Sequence, residues 1–292
     1  MKQRRVAYVA TVVLLSAACT TPHPPADKTQ QSNCQVDLVR HERLHAVLWL
    51  QTAAEYKAAA KQAYAVAGMR LQNAVADVSE RHIATAAAPQ DTQAPFAVIV
   101  DVDETIFDNS PEEARLVAKD KRKYDEEIWK DWETFGKPEL IPGTKAFLDA
   151  VRSLNVMTFY VTNRTNEAAL RTRLTELNIA LPTSPDVVRV PGECSTGDTS
   201  SDKECRRMDI GREHRVLLMV GDDLGDFVSV KGKDRPARDE LVGSNVQRWG
   251  REWIVLPNPS YGSWERTFYD PVKDEGDVIL QKKTAELNCQ LP

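Results

Sequence analysis

Five short apolar runs, each followed directly by polar or acidic residues, constrain the fold of this chain more than any other feature. They lie at residues 96–100, 156–161, 187–190, 216–220 and 253–256. Runs of this length with little alternation are typical of strands buried on both faces of a parallel sheet. Helical patterns lie between them, notably at residues 144–154 and 166–177, where Asn166 could cap the helix. Because strands alternate with helices, the sequence predicts an α/β fold with a doubly wound, mainly parallel sheet.

Two further segments flank or interrupt this pattern. Residues 35–67 contain neither glycine nor proline and predict an N-terminal helical segment, which Gly68 would interrupt before a second helical stretch towards His82. Residues 108–140 are charged and long for a connection between a strand and the next helix. We therefore expect a small, mainly helical cap insertion over the ligand site at about residues 108–140.

Polar side chains that suit phosphoryl transfer follow four of the runs. They are Asp101 and Asp103 after the first, Thr162 and Asn163 after the second, Lys203 in the loop after the third, and Asp222 and Asp226 after the fourth. Ligands of doubly wound sheets bind outside the carboxyl ends of the strands, so these side chains should converge. A carboxylate can attack phosphorus to form an aspartyl-phosphate, a role that suits Asp101. Asp103 could protonate the leaving alkoxide and later accept a proton from water.

A divalent metal ion is expected at the same place, because phosphoryl transfer depends on holding charge in position. Thr162 and Lys203 would bind the phosphate, and Asp222 would anchor the metal. The ligands on offer are carboxylate and carbonyl oxygens without histidine, which favours Mg²⁺ over zinc.

Four segments resemble the ordered motifs of the haloacid-dehalogenase (HAD) phosphatases, and in detail those of the class C acid phosphatases, which are outer-membrane lipoprotein 5'-nucleotidases. The segments are VIVDVDETIFDNS, YVTNR, SDKECRR and VGDDLGDF. An N-terminal segment, LHAVLWLQTAAEYKAAAKQAY, and a C-terminal one, IVLPNPSYGSWE, are similar to the same family. The resemblance covers about residues 41–265 and implies a HAD-like sheet of the Rossmann type.

The resemblance also implies roles for individual residues. Asp101 would be the nucleophile, and Asp103 would be the acid/base. The metal would be bound by Asp101, by Asp222, by the carbonyl of Asp103 and, through water, by Asp226. The phosphate would be bound by Thr162, Asn163 and Lys203. An aromatic box for the nucleoside or aryl group would consist of Phe107, Trp129 and Tyr261. Phe107 departs from the family, in which a smaller aliphatic residue is more usual.

Structural explanations exist for some of these residues. Aspartates after strands can be solvated turn residues that cap helices. A structural role for Asp226 competes with a metal role, and a tryptophan such as Trp129 in a helical insertion can serve packing alone.

The expected function is that of an exported, Mg²⁺-dependent acid phosphatase. It would hydrolyse small phosphomonoesters, especially nucleoside 5'-monophosphates, through an aspartyl-phosphate. One alternative is a broad acid phosphatase without a nucleotide preference. Another is a binding or storage lipoprotein that keeps the fold without turnover. The formal net charge of −5 and pI near 5.7 argue against binding of nucleic-acid polymers.

The first residues have the layout of an export signal. A basic cluster, an apolar run and small residues before Cys19 predict a signal peptide at residues 1–18. Cys19 would carry a lipid and residues 19–33 would form a polar tether, which places the protein in a bacterial envelope as an outer-membrane lipoprotein. The alternative is an ordinary cleaved signal with an incidental cysteine. Residues 34–292 would form the phosphatase domain.

Four further cysteines suggest two disulfides in an exported protein. The spacing favours a bond from Cys194 to Cys205 across a polar loop, with Cys34 and Cys289 joining the ends of the domain. Free thiols or a metal site are the alternatives, although no pair has close C-x-x-C spacing.

Overall fold

The computed structural model describes residues 41–80, 82–181 and 185–287. The predictions for the signal peptide, the tether, Cys19, Cys34 and Cys289 lie outside these ranges. Among the described residues, no helix combines the length and the apolar character needed to cross a membrane.

The described part of the chain contains seven strands. They are β1 (Phe96–Val100), β2 (Phe107–Asp108), β3 (Glu139–Leu140), β4 (Met157–Val161), β5 (Val188–Arg189), β6 (Arg215–Gly221) and β7 (Trp253–Val255). Five of them form one sheet in the order β5-β4-β1-β6-β7, and every neighbouring pair is parallel. Val100 pairs with Tyr160 of β4 and with Val220 of β6. The carboxyl ends of the three central strands therefore lie side by side, and the predicted fold class is confirmed.

Nine α-helices occur in the same ranges. They are α1 (Leu44–Thr52), α2 (Ala54–Ala76), α3 (Ser110–Ala118), α4 (Glu126–Phe135), α5 (Thr144–Ser153), α6 (Glu167–Glu176), α7 (Glu204–Glu213), α8 (Arg235–Ser244) and α9 (Gly276–Ala285). The capping prediction for Asn166 is confirmed, because its side chain accepts a hydrogen bond from the backbone N–H of Ala169 at 3.1 Å.

The predicted interruption of the N-terminal helical segment at Gly68 is wrong. The break lies at Ala53, whose extended backbone separates α1 from α2, and Gly68 lies inside α2. Helix α1 packs on α3 whereas α2 packs on α5, so the chain must change direction between them. The buried face of α2, with Tyr64 and Leu71, outweighs the cost of about 1 kcal/mol for a glycine inside a helix.

Apolar side chains cover both faces of the sheet. On β1, Val98 and Val100 belong to one buried cluster with residues of α2, α5 and α6. Ala97 and Ile99 belong to a second cluster on the other face with Ile210 of α7. Alternate residues of one strand thus point into different layers, which explains why its sequence is apolar throughout.

The region predicted as a cap contains α3 and α4, between the antiparallel strands β2 and β3. Glu133 of α4 is buried and accepts hydrogen bonds from the backbone N–H groups of Thr165, at 2.6 Å, and Asn166, at 3.0 Å. These contacts satisfy the N–H groups of the N-cap residue of α6 and of the residue before it, which have no partner within the helix. The insertion is thereby attached to the sheet domain next to the carboxyl end of β4.

Candidate functional site

Asp101 directly follows β1, and its backbone N–H continues the sheet by donating to the carbonyl of Val220 at 2.9 Å. Its side chain is 6% exposed. The Nζ atom of Lys203 contacts Asp101 Oδ1 and lies 2.6 Å from Asp226 Oδ1. Lys203 immediately precedes α7 and is itself buried. One ammonium group is therefore shared between two buried carboxylates.

Three aspartates form a compact cluster at this edge of the sheet. Asp101, Asp222 and Asp226 each place one carboxylate oxygen within 4.8 Å of the others. The Thr105 hydroxyl lies between Asp101 Oδ2, at 3.1 Å, and Asp222 Oδ1, at 3.2 Å. Asn258 donates to the other oxygen of Asp222 at 2.9 Å. The neighbouring chain thus fixes the orientation of these carboxylates.

Asp226 has a clear structural task. Its Oδ2 accepts hydrogen bonds from the backbone N–H groups of Asp222, at 3.1 Å, and Asp223, at 2.9 Å. Gly221 leaves the room for this turn, because an added Cβ would lie 2.3 Å from Asp226 Oδ2. One carboxylate oxygen of Asp226 therefore shapes the loop after β6, while the other binds Lys203. Its position is compatible with both the structural role and the metal role that the sequence suggests.

The cluster carries more negative charge than Lys203 balances. Burial raises the pKa of Asp101 to about 7, with Lys203 opposing the shift and Asp226 adding to it. Burial, followed by the charges of Asp226 and Asp101, raises the pKa of Asp222 well above its usual range. Burial works against the charge on Lys203, but Asp101 and Asp226 together raise its pKa. Three clustered carboxylates with an excess of negative charge fit a hard divalent cation such as Mg²⁺, which prefers oxygen ligands.

Asp103 lies next to this cluster, and its Oδ1 atom has several donors. Arg164 donates to it from Nε at 2.9 Å and from Nη2 at 2.7 Å, and Asn109 donates from Nδ2 at 2.8 Å. Arg164 and Asn109 are not among the site residues predicted from the sequence. The available signal was their place within the motifs: Arg164 directly follows Asn163 in YVTNR, and Asn109 lies two residues after Phe107 in VIVDVDETIFDNS.

The two predicted phosphate binders after β4 differ in their surroundings. Thr162 is fully buried, and its hydroxyl oxygen accepts a bond from the backbone N–H of Arg164 at 3.1 Å, which leaves its proton for another acceptor. The exposed Asn163 side chain donates to the Ser201 carbonyl at 3.0 Å and accepts from Arg206 at 2.8 Å. The Asn163 side chain thus stabilises the loop that precedes Lys203.

The three predicted aromatic residues do not form an open box. Phe107 is fully buried, and the Arg164 guanidinium lies 5.3 Å from its ring centroid and 5.2 Å from that of Trp129. Direct contact between Phe107 and a substrate would require the Arg164 side chain, which lies over the Phe107 ring, to move. Trp129 is half-buried, as is Tyr261, whose hydroxyl donates to the buried carboxylate of Glu104. Trp129 and Tyr261 are therefore the two of the three that are not fully buried.

The loop before α7 is closed by a disulfide between Cys194 and Cys205, whose Cα atoms lie 5.9 Å apart. Lys203 lies two residues before Cys205. Ser195 donates from its hydroxyl to Asp209 of α7 at 2.9 Å, which attaches the loop to the helix a second time.

A parallel sheet of this topology with acidic residues after its first strand defines a doubly wound α/β protein whose ligand site lies at the carboxyl ends of the strands. The family model for the HAD superfamily, subfamily IIIB (Acid phosphatase), matches residues 14–264, and the chain belongs to this family. The resemblance stated from the motifs is therefore confirmed. The chain is a phosphoric monoester hydrolase, and phosphatases of this superfamily generally use a divalent metal ion.

Two solved structures are similar over almost their whole length. One is the class C acid phosphatase from Bacillus anthracis, with 28% identity and a TM-score of 0.70 over 85% of this chain and 97% of that chain. The other is the class C acid phosphatase from Bacillus anthracis with tungstate bound, with 30% identity and a TM-score of 0.72 over the same shares of the two chains.

Proposed function

We propose that the protein is a Mg²⁺-dependent phosphatase that hydrolyses small phosphomonoesters through an aspartyl-phosphate on Asp101. The observation that carries the proposal is the convergence of Asp101, Asp222 and Asp226 with Lys203 at the carboxyl ends of β1 and β6. An anionic nucleophile, an ammonium group and a cation site in one place match the needs of phosphoryl transfer.

In the first half-reaction, a carboxylate oxygen of Asp101 forms a bond to phosphorus as the bond from phosphorus to the ester oxygen breaks. Asp103 gives its proton to the departing alkoxide. In the second half-reaction, water attacks the phosphorus of the aspartyl-phosphate and gives a proton to Asp103. The products are inorganic phosphate and the restored carboxylate of Asp101.

The remaining residues hold charge in place. Lys203 and the hydroxyl of Thr162 bind phosphate oxygens, and the disulfide restrains the loop from which Lys203 extends. Asp101, Asp222 and the backbone carbonyl of Asp103 would hold Mg²⁺, with Asp226 acting through water. The ion supplies positive charge that offsets the repulsion between a carboxylate and a phosphate.

Nucleoside 5'-monophosphates are the proposed substrates. The half-buried rings of Trp129 and Tyr261 near the site support stacking of a base. A broad acid phosphatase without a nucleotide preference is the second candidate, favoured by the burial of Phe107 under Arg164. A binding protein without turnover is disfavoured, because the proposed nucleophile and its lysine are both present.

A panel of phosphomonoesters assayed with the purified protein, with and without Mg²⁺, tests the proposal. Selective hydrolysis of nucleoside 5'-monophosphates that depends on Mg²⁺ is expected. Equal rates for aryl, sugar and nucleoside phosphates would favour the broad phosphatase, and tight binding of phosphomonoesters without release of phosphate would favour the binding protein.

We also propose that the protein is exported and anchored in the bacterial envelope by a lipid on Cys19. The support is the signal-like layout of residues 1–18. A disulfide in the phosphatase domain agrees with an oxidising compartment.

A further inference from the structure

Arg164 and Asn109 direct their hydrogen bonds at the same atom of Asp103. Nε and Nη2 of Arg164 and Nδ2 of Asn109 all donate to Asp103 Oδ1, at 2.9, 2.7 and 2.8 Å. Among the described residues, the side-chain hydrogen bonds found for Asp103 all end on Oδ1. The carboxylate plane is therefore set by the guanidinium, and Oδ2 is the oxygen left to exchange a proton with a substrate.

The guanidinium is itself held firmly. Arg164 is 3% exposed, and its charged group lies between the rings of Phe107 and Trp129, at 5.3 and 5.2 Å from their centroids. Its Nη2 also donates to Asn109 Oδ1 at 3.1 Å. The two aromatic rings and the amide of Asn109 restrict the rotation of the guanidinium. Because the guanidinium is fixed, its hydrogen bonds also fix the orientation of the Asp103 carboxylate.

The amide of Asn109 is fixed from the insertion. Trp132 of α4 donates from its indole N–H to Asn109 Oδ1 at 2.8 Å. Because Oδ1 accepts from Trp132 and Arg164, Nδ2 of Asn109 must face Asp103. Helix α4 thus sets the orientation of a side chain that binds Asp103, and the buried Arg164 forms an ion pair with the partly exposed Asp103.

We propose that Arg164 is a positioning residue that presents Oδ2 of Asp103 to the leaving oxygen of the substrate. This inference rests on the proposed function, in which Asp103 is the acid. As the ester bond breaks, its electron pair moves to the leaving oxygen, and the proton on Oδ2 transfers to that oxygen. The carboxylate that remains on Asp103 is stabilised by its charge-assisted bonds to Arg164.

The dependence of the rate on the leaving group provides the test. An alkoxide such as the 5'-oxygen of a nucleoside needs a proton as it departs, whereas p-nitrophenolate departs without one. The value of kcat/KM reports the steps up to formation of the aspartyl-phosphate. It is measured for benzyl phosphate, whose leaving group is an alkoxide, and for p-nitrophenyl phosphate, which is similar in size and carries no base, with the wild type and with the Arg164→Gln, Arg164→Lys and Asp103→Asn variants.

Arg164→Gln should lower kcat/KM for benzyl phosphate at least about tenfold more than for p-nitrophenyl phosphate, because it removes part of the roughly 10² to 10⁴ that general acid catalysis supplies. Arg164→Lys should fall between the wild type and Arg164→Gln, because lysine keeps the charge but loses the paired donors. The ratio of the two kcat/KM values is independent of the folded fraction of a sample, so partial misfolding cannot imitate the effect.

Arg173→Gln is the matched control. Arg173 is another arginine that contacts the insertion, but it donates to the backbone carbonyl of Gly136, at 2.9 Å. Its substitution should leave the ratio unchanged.

Two results would overturn different parts of the argument. If Asp103→Asn is selective against benzyl phosphate but Arg164→Gln lowers kcat/KM for both substrates equally, Arg164 does not position the acid. If Asp103→Asn also lowers both equally, the assignment of Asp103 as the acid in the proposed function fails, and the inference fails with it.

Discussion

Replacing Asp101 with asparagine should abolish turnover and also make the metal-free protein more stable at neutral pH. An amide cannot attack phosphorus, although it occupies nearly the same volume as the carboxylate. The Asp101 side chain is 6% exposed and lies beside Asp222 and Asp226, so its negative charge is unfavourable when no metal ion is bound, and Lys203 offsets this only in part. The Oδ1 atom of asparagine can still accept a bond from Lys203.

The size of the effect follows from the pKa of Asp101, which burial raises from 3.8 to about 7. One pKa unit corresponds to about 1.4 kcal/mol, so ionising Asp101 lowers the free energy of unfolding by at most about 4 kcal/mol at neutral pH. The folded-state pKa is higher than the unfolded one. The loss in the free energy of unfolding is therefore absent below the unfolded-state pKa of Asp101 and grows as the pH rises towards its folded-state pKa.

Urea denaturation in a chelator, at about pH 4 and at about pH 7.5, measures the difference. The variant should exceed the wild type by more at the higher pH. Added Mg²⁺ should stabilise the wild type more than the variant, because binding to the folded state adds to the free energy of unfolding. Asp239→Asn, which changes an exposed carboxylate of α8, is the control and should show neither effect.

Two outcomes would refute this reasoning. If Asp101→Asn destabilises the metal-free protein equally at both pH values, the carboxylate cluster does not carry an uncompensated charge. If a pure and folded variant keeps substantial turnover, Asp101 is not the nucleophile.

Three further expectations concern the metal, the anchor and the disulfide. A chelator should abolish activity, and Mg²⁺ should restore it better than Ca²⁺, because the smaller ion suits tight carboxylate coordination; full activity after exhaustive dialysis against a chelator would refute this. Cys19→Ser should move the protein from the membrane fraction to the soluble fraction, and a wild-type protein that is soluble and lacks a lipid mass would contradict the lipid anchor. A double change of Cys194→Ser and Cys205→Ser should raise KM or lower kcat more than it lowers Tm, because the loop carries Lys203 and its closure is worth roughly 3 kcal/mol at most. A variant with unchanged kinetics but a strongly reduced Tm would show that the disulfide serves stability alone.

The strand ends could be predicted from the sequence because buried parallel strands leave a strong local pattern. A strand apolar on both faces, followed by an acidic residue, marks both the element and its carboxyl end, as at Val100 and Asp101. The break at Ala53 could not be predicted in this way. Alanine favours helices, and the break depends on the separate packing of α1 and α2 against distant parts of the chain. The limits of the cap and the chemical roles of the site residues remain predictions.

The contacts of Arg164 show why the rest of the site could not be predicted from the sequence. Arginine is usually exposed, and nothing local to the YVTNR segment indicates that this side chain is 3% exposed. Its burial requires Phe107 from β2 and Trp129 from α4, two elements that meet only when the insertion folds back towards β4. The bulky Phe107, noted in the sequence as unusual for the family, thus supports the guanidinium that binds Asp103. A smaller aliphatic side chain at this position would leave one face of the guanidinium less covered. The size of residue 107 therefore influences how firmly Arg164 holds the carboxylate of Asp103.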